Sequence, residues 1–455
     1  MAFPIYWIPT LRVTPDDILH GPVGPVLRRM TIPMVYGIFA MFLFQAVDTF
    51  YVSLLGTAEL AAISFTFPVT YTLISFTLGI MISMSIIVGK AIGSGRMDTA
   101  ARITTNALLF GFVIVALISA GGLSTVDVLF GWLGASAGTL ELIHQYIDLW
   151  YWFAAFLVIP YLGNAAIRAT GDTKWPSLLM VGSGLINVIL DPLLIFGLGP
   201  FPAMGIRGAA VATVIAWIAG FMGSIWLLGH REKLLVFSMP DLGEFLADTR
   251  EIIKLGLPIS LANMFTPMVV AVLTAIIATH GEYAVAAFGA GGRIESMAMV
   301  VSFALTSALS PYMAQNFGAE KPERANEALV KALKFAVLYQ IVMYGLLVLG
   351  ADYLGHIFSD DPDVLTIISR YLWIMPLGAV AYAFVIVLNT AFNAGHKSYL
   401  TFIATLLRLV LFVVPLAWLG NHYFGMNGMF FGAVAGNFLT ALVSWQLYRR
   451  NIYHP

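Results

Sequence analysis

Apolar residues in this chain come in runs of about twenty or more, set between short polar breaks, and each run is long enough to cross a bilayer core as a helix. Twelve such runs fall at approximately 30–55, 60–89, 103–125, 141–168, 175–198, 206–229, 252–279, 284–314, 328–350, 365–393, 398–420 and 426–447. The period-2 alternation of barrel strands is absent, and backbone groups in lipid must pair internally, which leaves helices. The pattern predicts an all-α integral membrane protein with twelve transmembrane helices.

Composition agrees with the pattern. Apolar residues make up 60% and charged residues 10%, against about 25% charged in soluble proteins. There is too little polar surface to cover a water-soluble body of 455 residues. A net charge of -1 gives no sign of a nucleic-acid partner, and the absence of Cys excludes disulfides and thiol chemistry. Residues 1–29 contain five prolines and no basic-then-apolar run ending in a cleavage site, so no signal peptide is expected. Most of the 23 Lys and Arg residues fall in the two tails and the even-numbered connections, which places those segments and both termini in the cytoplasm.

Shifting the chain by 225 residues superimposes it on itself. Pro33 then meets Pro258, Gly93 meets Gly318, Arg96 meets Lys321, Tyr146 meets Tyr371 and Asn164 meets Asn389. After small gaps, Gly205 and Gly208 meet Gly425 and Gly428. One register held across several helices predicts an internal repeat. Because each half has six helices, the halves share one orientation and are related by an axis along the membrane normal. The expected division is a cytoplasmic tail at 1–29, an N-lobe at 30–229, a cytoplasmic linker at 230–251, a C-lobe at 252–447 and a second tail at 448–455. Two parallel lobes with a cleft between them suit alternating access.

The halves differ where chemistry is expected. Asn187 and Asp191 are four residues apart on one apolar helix, hence on one face, and an earlier helix offers Asp48. An ionised carboxylate at bilayer depth costs about 2.5 to 3.5 kcal/mol on insertion scales and by default faces a cavity where it works. At the positions equivalent to Asp48 and Asp191 the second half carries Leu273 and about Pro415, so the acidic site belongs to the N-lobe alone. Two carboxylates, an amide and the hydroxyl of Thr213 suit Na⁺ as oxygen ligands, and two close acids suit a proton equally well. Thr213 taken alone reads as a packing residue of a small-residue helix face. Pro33 and Pro192 lie in the two helices with the carboxylates, where each can kink its helix.

At this point the chain resembles a known family. Twelve helices in two parallel halves, Ile32-Pro33 followed by Asp48, the Arg168-x-x-Gly171-Asp172-Thr173-Lys174 segment and Asn187-x-x-x-Asp191-Pro192 are similar to the multidrug and toxic compound extrusion (MATE) transporters, in particular their DinF-type prokaryotic branch. The resemblance implies the MATE/MOP-type fold and export of cytotoxic, often cationic lipophilic compounds in exchange for Na⁺ or H⁺. It implies that Asp48, Asn187, Asp191 and Thr213 form the cation site, with Tyr146 and Asn164 lining the same cavity. A monomer in the plasma membrane is expected, with drugs or toxins and membrane lipid as its partners and no cofactor beyond the coupling ion.

Enzymatic readings lack their motifs. There is no phosphate-binding G-x-x-x-x-G-K-[ST] loop, no H-E-x-x-H pair, and the eight His residues are scattered singly. The rival reading is a flippase-like exporter of a lipid-linked substrate, which calls for a strongly basic cavity. Only Arg293 and Arg408 are at membrane depth to supply one.

Overall fold

The computed structural model describes residues 12–238 and 240–452. Residues 1–11 and 453–455 of the expected tails, with the expected absence of a leader, and Met239 of the expected linker lie outside the described residues. The first half consists of a short α1 (Pro15–His20) followed by α2 (Val23–Ser53), α3 (Thr57–Gly93), α4 (Met97–Trp132), α5 (Ala137–Ala169), α6 (Lys174–Phe196) and α7 (Ile206–Trp226). The second half consists of α8 (Leu242–Ala278), α9 (Glu282–Ala298), α10 (Val300–Gly318), α11 (Pro322–Leu349), the short α12 (Ala351–Gly355), α13 (Pro362–Ala394), α14 (Ser398–Leu407) and α15 (Val414–Asn451). No strand occurs among the described residues.

These elements make twelve spans. Helices α2 to α7 supply six. In the second half α9 and α10 form one span broken at Met299 by a 43° bend. The helical stretch Ser398–Asn451 is 54 residues long, about 81 Å at 1.5 Å per residue, far beyond a core of about 30 Å. It doubles back at Gly425, whose backbone angles, φ 64° and ψ −153°, are open to glycine and strained for other residues. A Cβ on Gly428 or Gly432 would lie 2.2 or 2.1 Å from the carbonyl oxygens of Gly420 and Leu416. The two arms therefore pack backbone to backbone as an antiparallel hairpin, as small-residue faces allow in membranes.

The repeat is visible in the element boundaries. Adding 225 to the ends of α3 gives the start of α9 and the end of α10, and adding it to α5 gives the ends of α13. Gly205, at φ 56° and ψ −137°, opens α7 with nearly the backbone turn that Gly425 makes in the second half. Boundaries differ from the hydropathy reading where charge ends a run without ending the helix. Helix α2 starts at Val23 rather than 30, because Arg28 and Arg29 interrupt apolarity and not backbone pairing; α8 likewise starts at Leu242, inside the expected linker. Outward faces are apolar, with Leu117, Trp152 and Leu338 between 63% and 70% exposed, as lipid requires.

The two lobes meet along one end of the bundle about the repeat axis. A Cβ on Gly93 would lie 2.0 Å from the Gln315 carbonyl oxygen, and one on Gly318 would lie 2.1 Å from that of Lys90. These are repeat-related contacts, since 93 corresponds to 318 and 90 to 315. Deeper in, Gly79 of α3 packs against Gly256 and Ser260 of α8. At the same end Arg102 of α4 pairs with Glu244 and, at 3.4 Å, with Asp248 of α8, while the Asn106 amide donates to Asp248 at 2.8 Å. The lobes are thus closed at the end carrying most of the basic residues.

That seam also holds His396, in the turn between α13 and α14 at φ 57°, with Glu251 at 4.0 Å. Burial, with Lys90 and Lys254 adding to it, pushes its imidazole down to about 4. The folded form therefore binds fewer protons here than the unfolded chain, whose imidazole titrates near 6.5. Stability from this site is full above about pH 6.5 and is lost as pH falls through about 4. His396→Asn, which tolerates the positive φ, is expected to flatten the loss of thermal midpoint between pH 6.5 and 4, as followed by tryptophan fluorescence.

Candidate functional site

Parallel packing of α2 on α6 sets the site. Ser177 of α6 donates to the Pro33 carbonyl oxygen of α2, in contact with Gly37. Two turns further on, Gly184 receives the ring of Phe44 so closely that a Cβ there would lie 1.8 Å from it. Pro33 contributes the receiving carbonyl, and the small residues of α6 let the helices approach. Continued in the same register, the packing brings Asp48 to Asp191.

The two carboxyls are in hydrogen-bonding contact, and Asp191 is wholly buried. Asn187 donates its amide to Asp191 Oδ1 at 3.3 Å and to Thr213 Oγ1 of α7 at 3.4 Å. Four side chains from three helices therefore form one chain of polar contacts, Asp48 to Asp191 to Asn187 to Thr213. Tyr146 of α5 lies within the electrostatic reach of both carboxyls. Oδ1 of Asp48 and Oδ2 of Asp191 are buried with no donor. A hydrogen bond between two carboxyls needs a proton on one of them, and two bare carboxylates need a cation between them. The geometry calls for one positive charge that can come and go.

Asn164 is placed elsewhere. It is on the same helix face as Tyr146 but 18 residues on, about 27 Å along the axis, near the closed end of the lobes. Its Oδ1 is buried without a partner. The structure does not bring it to the carboxyl pair.

In the second half Arg293 is exposed and does not meet Glu295. Glu295 instead accepts the Tyr371 hydroxyl at 2.6 Å. Arg408 donates Nε to Asn437 Oδ1 at 2.9 Å, with its guanidinium 4.1 Å from the Tyr382 ring centroid. It borders a cavity of about 230 Å³ lined also by Asn263, Thr266, Asn389, Asn393 and Thr405. Sequence reasoning singled out Arg408 but not this cavity, whose walls are drawn from five helices. A signal was present, because Asn263 and Thr266 fall at the repeat positions of Ile38 and Met41.

Comparisons with known proteins agree with this architecture. The family model described as MatE matches twice, at residues 33–193 and 258–419, once in each half. The chain is 40% identical over 433 residues to a protein named FAD transporter from Shewanella oneidensis, covering 95% of this chain and 96% of that one. It is 25% identical to the probable multidrug resistance protein YoeA of Bacillus subtilis, over 87% and 86% of the two chains. A crystal structure of the Vibrio cholerae MATE transporter VcmN in the bent form superimposes with a TM-score of 0.88 at 28% identity, covering 94% of this chain and 96% of that one.

Proposed function

Because this chain belongs to the MatE family of membrane transporters, we propose that it is a secondary active exporter that exchanges an organic compound for Na⁺ or H⁺ by alternating access. The observation that carries the reading is the contact between the Asp48 and Asp191 carboxyls, with Asn187 and Thr213 as neutral ligands and Tyr146 beside them. One cation satisfies the pair, and its loss leaves facing negative charges that push α2 from α6. Ion occupancy thereby acts on the helices that wall the N-lobe. His396, neutral above about pH 4, is no rival carrier at physiological pH.

In this reading residues 30–229 and 252–447 move as two lobes joined by the linker at 230–251. The protein works as a monomer in the plasma membrane of a prokaryote, with both termini cytoplasmic. The closed end is then the cytoplasmic one, and the conformation faces outward. Asn164 lies at that closed end and meets substrate only when the lobes open there. The absence of acidic side chains from the middle of α8 and α13 fits the DinF-type branch.

Two substrate classes have support. Drugs follow from relatives such as the probable multidrug resistance protein of B. subtilis. A flavin dinucleotide follows from the relative named FAD transporter, which is more similar and spans nearly the whole chain. Purified protein in vesicles, given a Na⁺ gradient or a pH gradient separately, is expected to move ethidium or FAD under one gradient only. Folded protein that moves neither compound under either gradient would overturn the exporter reading.

A further inference from the structure

The C-lobe cavity is polar at several positions where its N-lobe counterpart is apolar, while Asn389 repeats the polar Asn164. By the repeat, Asn263, Thr266 and Tyr382 stand where the N-lobe has Ile38, Met41 and Leu157. Helix starts at Lys174 and Ser398 set the later offset at 224, so Arg408 stands where α6 has Gly184. The N-lobe position is filled by Phe44; the C-lobe position holds a cation facing open space.

Three further observations point to a ligand. Asn263 Nδ2 and Asn389 Oδ1, a donor and an acceptor on the cavity wall, are buried without partners, and unsatisfied buried groups of this kind need an explanation. Arg408 is held by Asn437 through Nε alone, and its terminal nitrogens have no hydrogen-bond partner among the described residues. Glu295 contributes to its field but is bonded by Tyr371 and makes no ion pair with it. Arg408 also opens a π-helical turn, Arg408–Val413, where α6 is α-helical throughout. Such insertions recur at functional sites.

We propose that this cavity is a substrate subsite for the anionic, ring-bearing end of a soluble ligand, with Arg408 donating to a phosphate or carboxylate oxygen, Asn263 donating to an acceptor edge of the ring and Asn389 accepting from a donor edge. At about 230 Å³ it is smaller than the roughly 300–1,000 Å³ of whole-ligand pockets, so it takes one end of a larger molecule. Ile82 of α3 closes it from the other lobe. Occupancy is therefore felt at the lobe seam, and a separating N-lobe removes one wall. The inference deepens the exporter reading, and rests on it only for calling the ligand a substrate.

Binding to purified protein without any gradient separates the two. Flavin fluorescence titrations would compare FAD with riboflavin, which lacks the phosphates, beside ethidium as a cation. Wild type is expected to bind FAD at least about tenfold more tightly than riboflavin, the size of one charge-assisted hydrogen bond. Arg408→Gln should erase that preference and leave riboflavin and ethidium unchanged, and Arg408→Lys should retain part of it. Asn389→Leu should weaken both flavins alike. No preference for FAD in wild type, or an equal loss of all three ligands in a folded Arg408→Gln protein, would overturn the proposal. If Arg408→Gln does not fold, Arg408→Lys decides: a preference for FAD retained in part with the charge intact supports the anion site, and no preference left, or an equal weakening of all three ligands, overturns it. FAD binding that depends on Arg408, without gradient-driven transport, would leave the subsite standing and remove the exporter.

Discussion

Vesicles containing Asp48→Asn protein are expected to export under an imposed ion gradient no faster than protein-free vesicles, while the purified variant keeps the elution profile of wild type. The substitution keeps the size of the side chain, replaces one acceptor oxygen by an amide donor and removes its ability to exchange a cation. Asp191 then faces an amide that can donate to it, so the pair no longer needs a second positive charge. Removal of a charge partner from a buried pair can itself be destabilising; here the neutral amide relieves like-charge repulsion, and the fold should tolerate it. Asp191→Asn should behave in the same way, because Asn187 and Thr213 still close the polar chain. Coupled export that survives either change would remove the carboxyl pair from the mechanism.

The second large effect is expected at the lobe seam. Gly93 and Gly318 lie against backbone carbonyl oxygens, with a Cβ falling 2.0 and 2.1 Å away, and backbone cannot turn aside as a flexible side chain can. Overpacking costs about 1–3 kcal/mol and occasionally more, and each 1.4 kcal/mol is a factor of ten in a population. Gly93→Val should lower the share of molecules closed at this end by about tenfold or more. The contacts within each lobe are untouched, so folding should survive. The chain contains no Cys, so Ser94→Cys and Glu320→Cys, both at exposed positions, give a clean pair of spin-label sites across the seam. A shift to longer distances in Gly93→Val is expected, with transport reduced in proportion. An unchanged distance distribution would mean that the seam does not set the state.

The reach of the sequence follows from what each feature depends on. Span number and the repeat rest on local hydropathy and on residues at a fixed offset, and both were legible, even the paired glycines 205 and 425 that reverse the backbone in each half. The break at Met299 was not, because no Pro or Gly marks it. Asp191 and Asn187 were legible as one helix face, but the approach of Asp48 depends on Phe44 entering the space at Gly184, a contact between distant segments. The distance of Asn164 from the carboxyls is simple helical rise along α5. The C-lobe cavity draws on residues from 82 to 408 and becomes visible in the sequence only when the halves are compared for polarity as well as for identity.

The central claim is that ion binding at the carboxyl pair and ligand binding oppose each other, which is what exchange requires. Its most direct test is ion release from detergent-solubilised protein on addition of whichever compound proves to be transported, read by a pH indicator in weakly buffered solution or by bound radioactive Na⁺. Wild type should release about one ion per protein and Asp48→Asn none. No release from wild type, or equal release from the variant, would contradict the account.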